Sequence, residues 1–90
     1  LGTVRLCRIS WGQDGLLRPD GEAGWRGDPA RSGPGGSLAD LGTHCLHLAE
    51  FVLGTPVTEL CAEVDGFGAA TPRHAELIWR FAGGPRGSLW

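Results

Sequence analysis

Ninety residues allow one small domain with a single core, close to the margin at which burial offsets chain entropy. The net charge is −2, and the eight basic residues are all arginine, scattered along the chain, which argues against a nucleic-acid partner. No apolar run reaches the roughly 18 residues of a membrane span, and the first residues carry no secretory signal pattern.

The chain opens at Leu1, contains no methionine, and stops in RGSLW, which reads as a strand with no turn after it, so a piece cut at both ends is expected. Cys7, Cys45 and Cys61 are odd in number, widely spaced and set in apolar patterns. That suits reduced core thiols better than a disulfide framework, and the expected compartment is the cytoplasm.

Residues 3–11 (TVRLCRISW) are β-branched and apolar in rough alternation and predict a strand. Residues 12–36 run through Asp14-Gly15, Pro19-Asp20-Gly21, Gly27-Asp28-Pro29 and Ser32-Gly33-Pro34-Gly35-Gly36, which rules out a long regular element there. Trp11 and Trp25 flank this loop and suggest that it docks onto something. Residues 37–53 (SLADLGTHCLHLAEFVL) predict an amphipathic helix. Ser37 stands as N-cap, Asp40 takes the capping-box position, and Gly54 followed by Pro56 supplies the stop. At 100° per residue Leu38, Leu41, Cys45, Leu48, Ala49 and Val52 form one apolar face, expected to lie on a core. Gly42 inside the helix costs ~1 kcal/mol relative to alanine, which points to a close neighbour.

Residues 57–65 (VTELCAEVD) alternate, with Thr58, Leu60, Ala62 and Val64 on the side expected to be buried. Residues 74–82 (HAELIWRFA) alternate again, with Ala75, Leu77, Trp79 and Phe81 on one face, and turn at Gly83-Gly84-Pro85 into residues 86–90. A strand, a long loop, a helix and then several strands without helices between them predict an α+β fold. Its form is a mixed, largely antiparallel open sheet with one amphipathic helix packed on it.

On the helical wheel Asp40, His44, His47 and Phe51 fall within about 60° of one another, almost opposite the leucine face. Histidine moves a proton at neutral pH, and an aspartate one turn earlier can orient the ring and stabilise its charged form. The same pattern also describes a solvated helix face with Asp40 as a capping residue. His44-x-x-His47 near Cys45 or Cys61 invites a zinc reading, but a defined third ligand is missing and Cys45 points toward the leucine face. The run Gly33-Pro34-Gly35-Gly36-Ser37-Leu38 is phosphate-loop-like, yet leucine stands where a dinucleotide fingerprint needs its third glycine, so no Rossmann site is expected. A helix N-terminus with free amides can still touch an anion.

The string GWRGDPARSGPGGSLADLGTHCLHLAEFVLGTPVTEL, with Trp-Arg, Gly-Gly-x-Leu-x-Asp-x-Gly-x-His, an amphipathic helix and a Gly-x-Pro turn, resembles the start of the substrate domain in the Gfo/Idh/MocA family of sugar and inositol oxidoreductases. The looser match extends to Trp11-Gly12-Gln13-Asp14 and to Gly84-Pro85-Arg86-Gly87-Ser88-Leu89-Trp90, nearly the whole chain. The resemblance implies that residues 1–90 are part of the C-terminal substrate and oligomerisation domain of such an enzyme, without its N-terminal Rossmann domain. It assigns the handling of the substrate hydroxyl to His44 and Asp40, a substrate contact to His47, and a cofactor contact to Trp25 and Arg26. It implies NAD or NADP in the intact enzyme and none on this piece alone, a sugar or polyol substrate, and a homo-oligomer built through the open sheet. The family's catalytic lysine has no counterpart, because the chain contains no lysine. The expected function is thus part of an NAD(P)-dependent dehydrogenase acting on a CH–OH group, inactive by itself. The alternative is a non-catalytic sheet-forming module whose loop and open edge bind a protein.

Overall fold

A computed structural model describes residues 2–13 and 28–90. They form strands β1 (Leu6–Ile9), β2 (Val57–Asp65), β3 (His74–Phe81) and β4 (Arg86–Leu89), a short helix α1 (Pro29–Ser32), and a π-helical turn (Leu38–Gly42) that runs into helix α2 (Thr43–Leu53). The four strands make one sheet in the order β1-β4-β3-β2. β2 and β4 flank β3 antiparallel, and β1 joins β4 in parallel. This is the mixed, largely antiparallel open sheet under one main helix that the alternating segments predict. Among the described residues no helix is long and apolar enough to cross a membrane.

Local chemistry accounts for each element. β3 and β4 meet at a turn in which Gly83 (φ 85°) and Gly84 (φ 105°) take conformations that disfavour a side chain, closed by Phe81 N–H donating to the Pro85 carbonyl at 2.9 Å. β1 is shorter than the expected 3–11 because its ladder partner has only four residues, from Leu6 opposite Arg86 to Ile9 opposite Leu89. Helix α1 begins at Pro29, whose missing amide is harmless in a first turn, and the Asp28 carboxylate accepts from Ala30 N–H at 3.0 Å. At the far end of α2, Gly54 in the left-handed region (φ 66°) stops the helix. There Glu50 Oε1 accepts from Val57 N–H at 2.7 Å and ties the helix to the start of β2.

Three expectations are corrected. Ser37 is not a side-chain cap: its backbone is already helical (φ −63°, ψ −29°), its hydroxyl makes no capping bond, and its N–H instead donates to the Pro72 carbonyl at 2.9 Å. The helix also rests on only part of the expected face, Leu38, Cys45 and Ala49, and is rolled away from the rest. Gly42, Cys45 and Ala49 are buried, and Leu38, Leu46 and Leu53 pack around them, whereas Leu48 and Val52 are 53% and 58% exposed and Leu41 is half-buried. Leu48 and Val52 lie on the same regular helix as Cys45 and Ala49 but at one margin of the apolar face, and the helix is rolled so that the other margin, Leu46 and Leu53, packs on the sheet. Small residues then let the helix backbone come down onto the sheet.

The third correction concerns β2, which is exposed along its length apart from Val57. A register shift between Val57 and Glu59 takes Thr58 out of the alternation. Leu60, Ala62 and Val64 share the helix side with Leu77, Trp79 and Ala75, but β2 is the edge strand and the helix covers β3 and β4 instead.

The core consists of Cys45 and Ala49 from the helix against Leu77, Trp79 and Phe81 from β3 and Leu89 from β4. Trp79 and Phe81 meet edge to face, with ring centroids 6.2 Å apart. The Trp79 indole lies across Gly87, its partner on β4, so closely that a Cβ there would fall 2.2 Å from the ring. Gly87→Ala should therefore displace the indole and destabilise the fold by about 1–3 kcal/mol, with Tm falling by roughly 4–8 °C per kcal/mol in a domain of this size. The adjacent Ser88→Ala should melt close to the parent; equal melting temperatures for both variants would show that the indole contact does not constrain the sheet.

Candidate active site

Gly36 and Ser37 contact Pro72, which brings the start of the helix to the β2–β3 connection. Residues 66–73 form a built loop there. Ala69 N–H donates to the Gly66 carbonyl and Arg73 N–H to the Asp65 carbonyl, both at 2.9 Å, and Thr71 is buried. Phe67 takes a left-handed conformation (φ 50°) stabilised by its N–H donating to Asp65 Oδ1 at 2.7 Å.

Across from this loop, the chain enters the helix through Gly35 and Gly36. The π turn is closed by Thr43 N–H donating to the Leu38 carbonyl. Thr43 Oγ1 donates to the Ala39 carbonyl at 2.8 Å, the acceptor that a regular α-turn would give to the Thr43 amide. Gly42 is buried inside this turn, where a Cβ would meet Leu38 Cδ1 at 2.7 Å. This is the close neighbour that a glycine at that position predicts.

Asp40 lies on the π turn, His44 one turn later and His47 one turn beyond that, and all three are exposed. Phe51 continues the stripe at 78% exposure, flanked by Leu48 and Val52. The structure thus places the predicted carboxylate and imidazoles on the side of the helix turned away from the sheet, with an uncovered apolar border. Trp25 and Arg26 lie outside the described residues.

Two other chemistries were open from the sequence, and the geometry bears on both. Cys45 is buried in the core on the opposite side from His44 and His47, and burial pushes its thiol above the usual range. Cys61 is exposed on β2. Among the described residues no three histidine, cysteine, aspartate or glutamate side chains are grouped to hold a metal ion. The glycine-rich start of the helix is filled by protein: the Ser37 amide is bonded to Pro72, and Gly36 is in contact with the Pro72 backbone. That geometry does not fit a phosphate cradle, nor do the described residues contain a βαβ unit for a dinucleotide.

Sequence reasoning singled out the glycine run through Gly36 but missed its partners, Thr71 and Pro72. The signal was present in the paired Gly35-Gly36 directly before a helix and in Thr71-Pro72 directly before a strand, but it acquires meaning only when the two segments are seen to touch.

The family model described as the GFO/IDH/MocA C-terminal domain matches residues 1–90. An uncharacterized oxidoreductase of Bacillus subtilis (strain 168), YfiI, is 25% identical over 99 residues, covering all of this chain and 25% of that protein. The crystal structure of an oxidoreductase domain protein from Kribbella flavida superposes with a TM-score of 0.87 at 28% identity, covering 98% of this chain and 26% of that one. An inositol dehydrogenase homolog from Azotobacter vinelandii, solved with NAD+, gives a TM-score of 0.80 at 25% identity over 100% of this chain and 25% of that one. The chain therefore spans about a quarter of the length of the relatives it matches.

Cys45 and Cys61 provide a direct check on how the helix is rolled. Ellman's reagent should react promptly with Cys61 in the folded protein and with Cys45 only after denaturation. Rapid native labelling of Cys45, measured against a Cys61→Ser variant, would mean that the helix presents a different face to the sheet.

Proposed function

The chain belongs to the GFO/IDH/MocA family, whose C-terminal domain model spans residues 1–90, and from that footing we propose that it is the substrate side of an NAD(P)-dependent oxidoreductase acting on a CH–OH group of a sugar or polyol. The observation that carries the reading is the roll of the helix. Its small residues are buried, so Asp40, His44 and His47 all lie exposed on one side of the helix. An NAD- or NADP-binding Rossmann domain belongs elsewhere in the intact enzyme, and Trp25 and Arg26, outside the described residues, are this chain's proposed contacts with the cofactor. The Azotobacter relative, an inositol dehydrogenase homolog holding NAD+, supports that assignment of substrate class and cofactor.

In this reading the dinucleotide supplies the oxidant when bound, and the chain's own residues manage the proton. His44 accepts the hydroxyl proton as the carbinol carbon is oxidised and returns it in the reverse direction. Asp40 favours the protonated ring and fixes its orientation, and His47 contacts a neighbouring hydroxyl. The three thiols, none in a disulfide, fit a reducing compartment such as the cytoplasm.

In the full-length protein, assayed with myo-inositol and D-glucose and with NAD+ and NADP+, His44→Ala should lower kcat by about 10²–10⁴-fold with little change in nucleotide affinity. Asp40→Asn should cost less, with thermal melts separating chemistry from the ~1 kcal/mol effect of a lost first-turn carboxylate. Wild-type turnover in a folded His44→Ala enzyme would refute the assignment.

The sheet face opposite the helix supports the second half of the reading, a homo-oligomer. Ile78, on the inner strand β3, is 64% exposed, and Leu6, on the outer strand β1, is 60% exposed. Arg8 on β1 and Arg86 on β4 make that side basic, whereas Glu59 and Glu63 on β2 make the other acidic; β3 between them carries Glu76 and Arg80, with Arg80 3.6 Å from Glu59. A twofold axis through the apolar centre would set the basic side of one copy against the acidic side of the next. Sedimentation equilibrium should show a dimer or higher multiple that Ile78→Asp dissociates. A monomer at micromolar concentration in the unaltered protein would exclude this interface.

A further inference from the structure

The helix that carries Asp40 and His44 is not held at its start by a cap of its own. Ser37 makes no side-chain capping bond. What it has instead is a backbone contact with the β2–β3 connection. Gly36, at φ 50°, passes so close to Pro72 that a Cβ would fall 2.3 Å from its carbonyl oxygen and 2.9 Å from its nitrogen. The next residue, Ser37, donates its N–H to that same carbonyl at 2.9 Å. Two consecutive residues are thus fixed against one peptide, and the π turn bearing Asp40 begins at the residue after them.

Loop 66–73 is braced by its own backbone. Gly66 packs against the carbonyls of Ala69 and Thr71, where a Cβ would lie 2.8 and 3.2 Å away; the Ala69 N–H turns the loop onto Gly66, and the Arg73 N–H closes it onto the end of β2 at Asp65. Displacement of this peptide would shift the helix along its axis or rotate it. Asp40 stands one turn from the contact and His44 two, so both would move with it. The displacement of a catalytic group by about 1 Å is worth on the order of 10²-fold in rate.

We propose that Gly36 and Pro72 are positioning residues: the β2–β3 loop, through this backbone clamp, sets the place and rotation of Asp40 and His44 for the reaction. The inference rests on the acid–base reading of His44, and its test separates the two. In the full-length enzyme, assayed with myo-inositol and D-glucose and with both nucleotides, Gly36→Ala should lower kcat by about 10²-fold, change KM far less, and alter the shape of the pH dependence of kcat. Gly54→Ala imposes a similar left-handed penalty (φ 66°) at the other end of the helix, in open space, and should lose thermal stability while keeping the parental kcat and pH profile. If Gly36→Ala does not fold, Pro72→Gly, which loosens the loop without a collision, decides the matter and should lower kcat several-fold in the same manner.

A defective His44→Ala beside a Pro72→Gly or folded Gly36→Ala enzyme with parental kcat and pH profile would overturn the positioning role alone. Parental turnover in His44→Ala would overturn the acid–base reading and this inference together.

Discussion

The contact between the small face of α2 and the Trp79 wall is the constraint from which the remaining arrangement follows. Gly42, Cys45 and Ala49 have almost no side chain to hold the helix away from β3. Larger side chains on this stripe would lift the helix off and open cavities around Leu77 and Phe81. Because the buried stripe is narrow and made of small residues, the rest of the helix circumference is left outward. It holds acids, imidazoles and three large apolar groups, Leu48, Phe51 and Val52. The core residues thereby decide which residues are available for chemistry, although none of them takes part in it.

Gly87 completes this wall from beneath. Its missing side chain makes room for the indole, and the indole in turn fills the space between helix and sheet. The loop at residues 66–73 adds a further restraint at the end where the candidate chemistry lies.

Much of this was legible in the sequence, for identifiable reasons. The β2 and β3 alternation gave their bounds to within a residue, because Gly54-Thr55-Pro56 and Gly83-Gly84-Pro85 mark their ends with backbone chemistry that no tertiary contact alters. The clustering of Asp40, His44 and His47 was legible from spacing, and they do share the exposed side. The buried stripe was legible in part: Leu38, Cys45 and Ala49 of the expected face do meet the core, but the roll that exposes Leu48 and Val52 and brings in Leu46 and Leu53 is set by the sheet beneath and has no local signal. Thr58, Leu60, Ala62 and Val64 misled for a different reason. Alternation shows which residues share a face and says nothing of whether a second layer lies over that part of the sheet. The Pro72 contact joins positions thirty-six residues apart, Gly36 and Pro72, and no local pattern encodes it.

The parallel pairing of β1 with β4 has a kinetic consequence. Leu6 must find Arg86 across about eighty intervening positions, which costs on the order of 4 kcal/mol in loop-closure entropy before the short ladder returns anything. The β2–β3–β4 meander needs only local turns and can form first, offering Leu89 and Gly87 as a waiting edge. β1 is then the last strand to dock and the first to leave. Until it does, the β4 edge presents unpaired amides and carbonyls beside exposed Trp90, a surface on which a second nascent chain can lay its own β1.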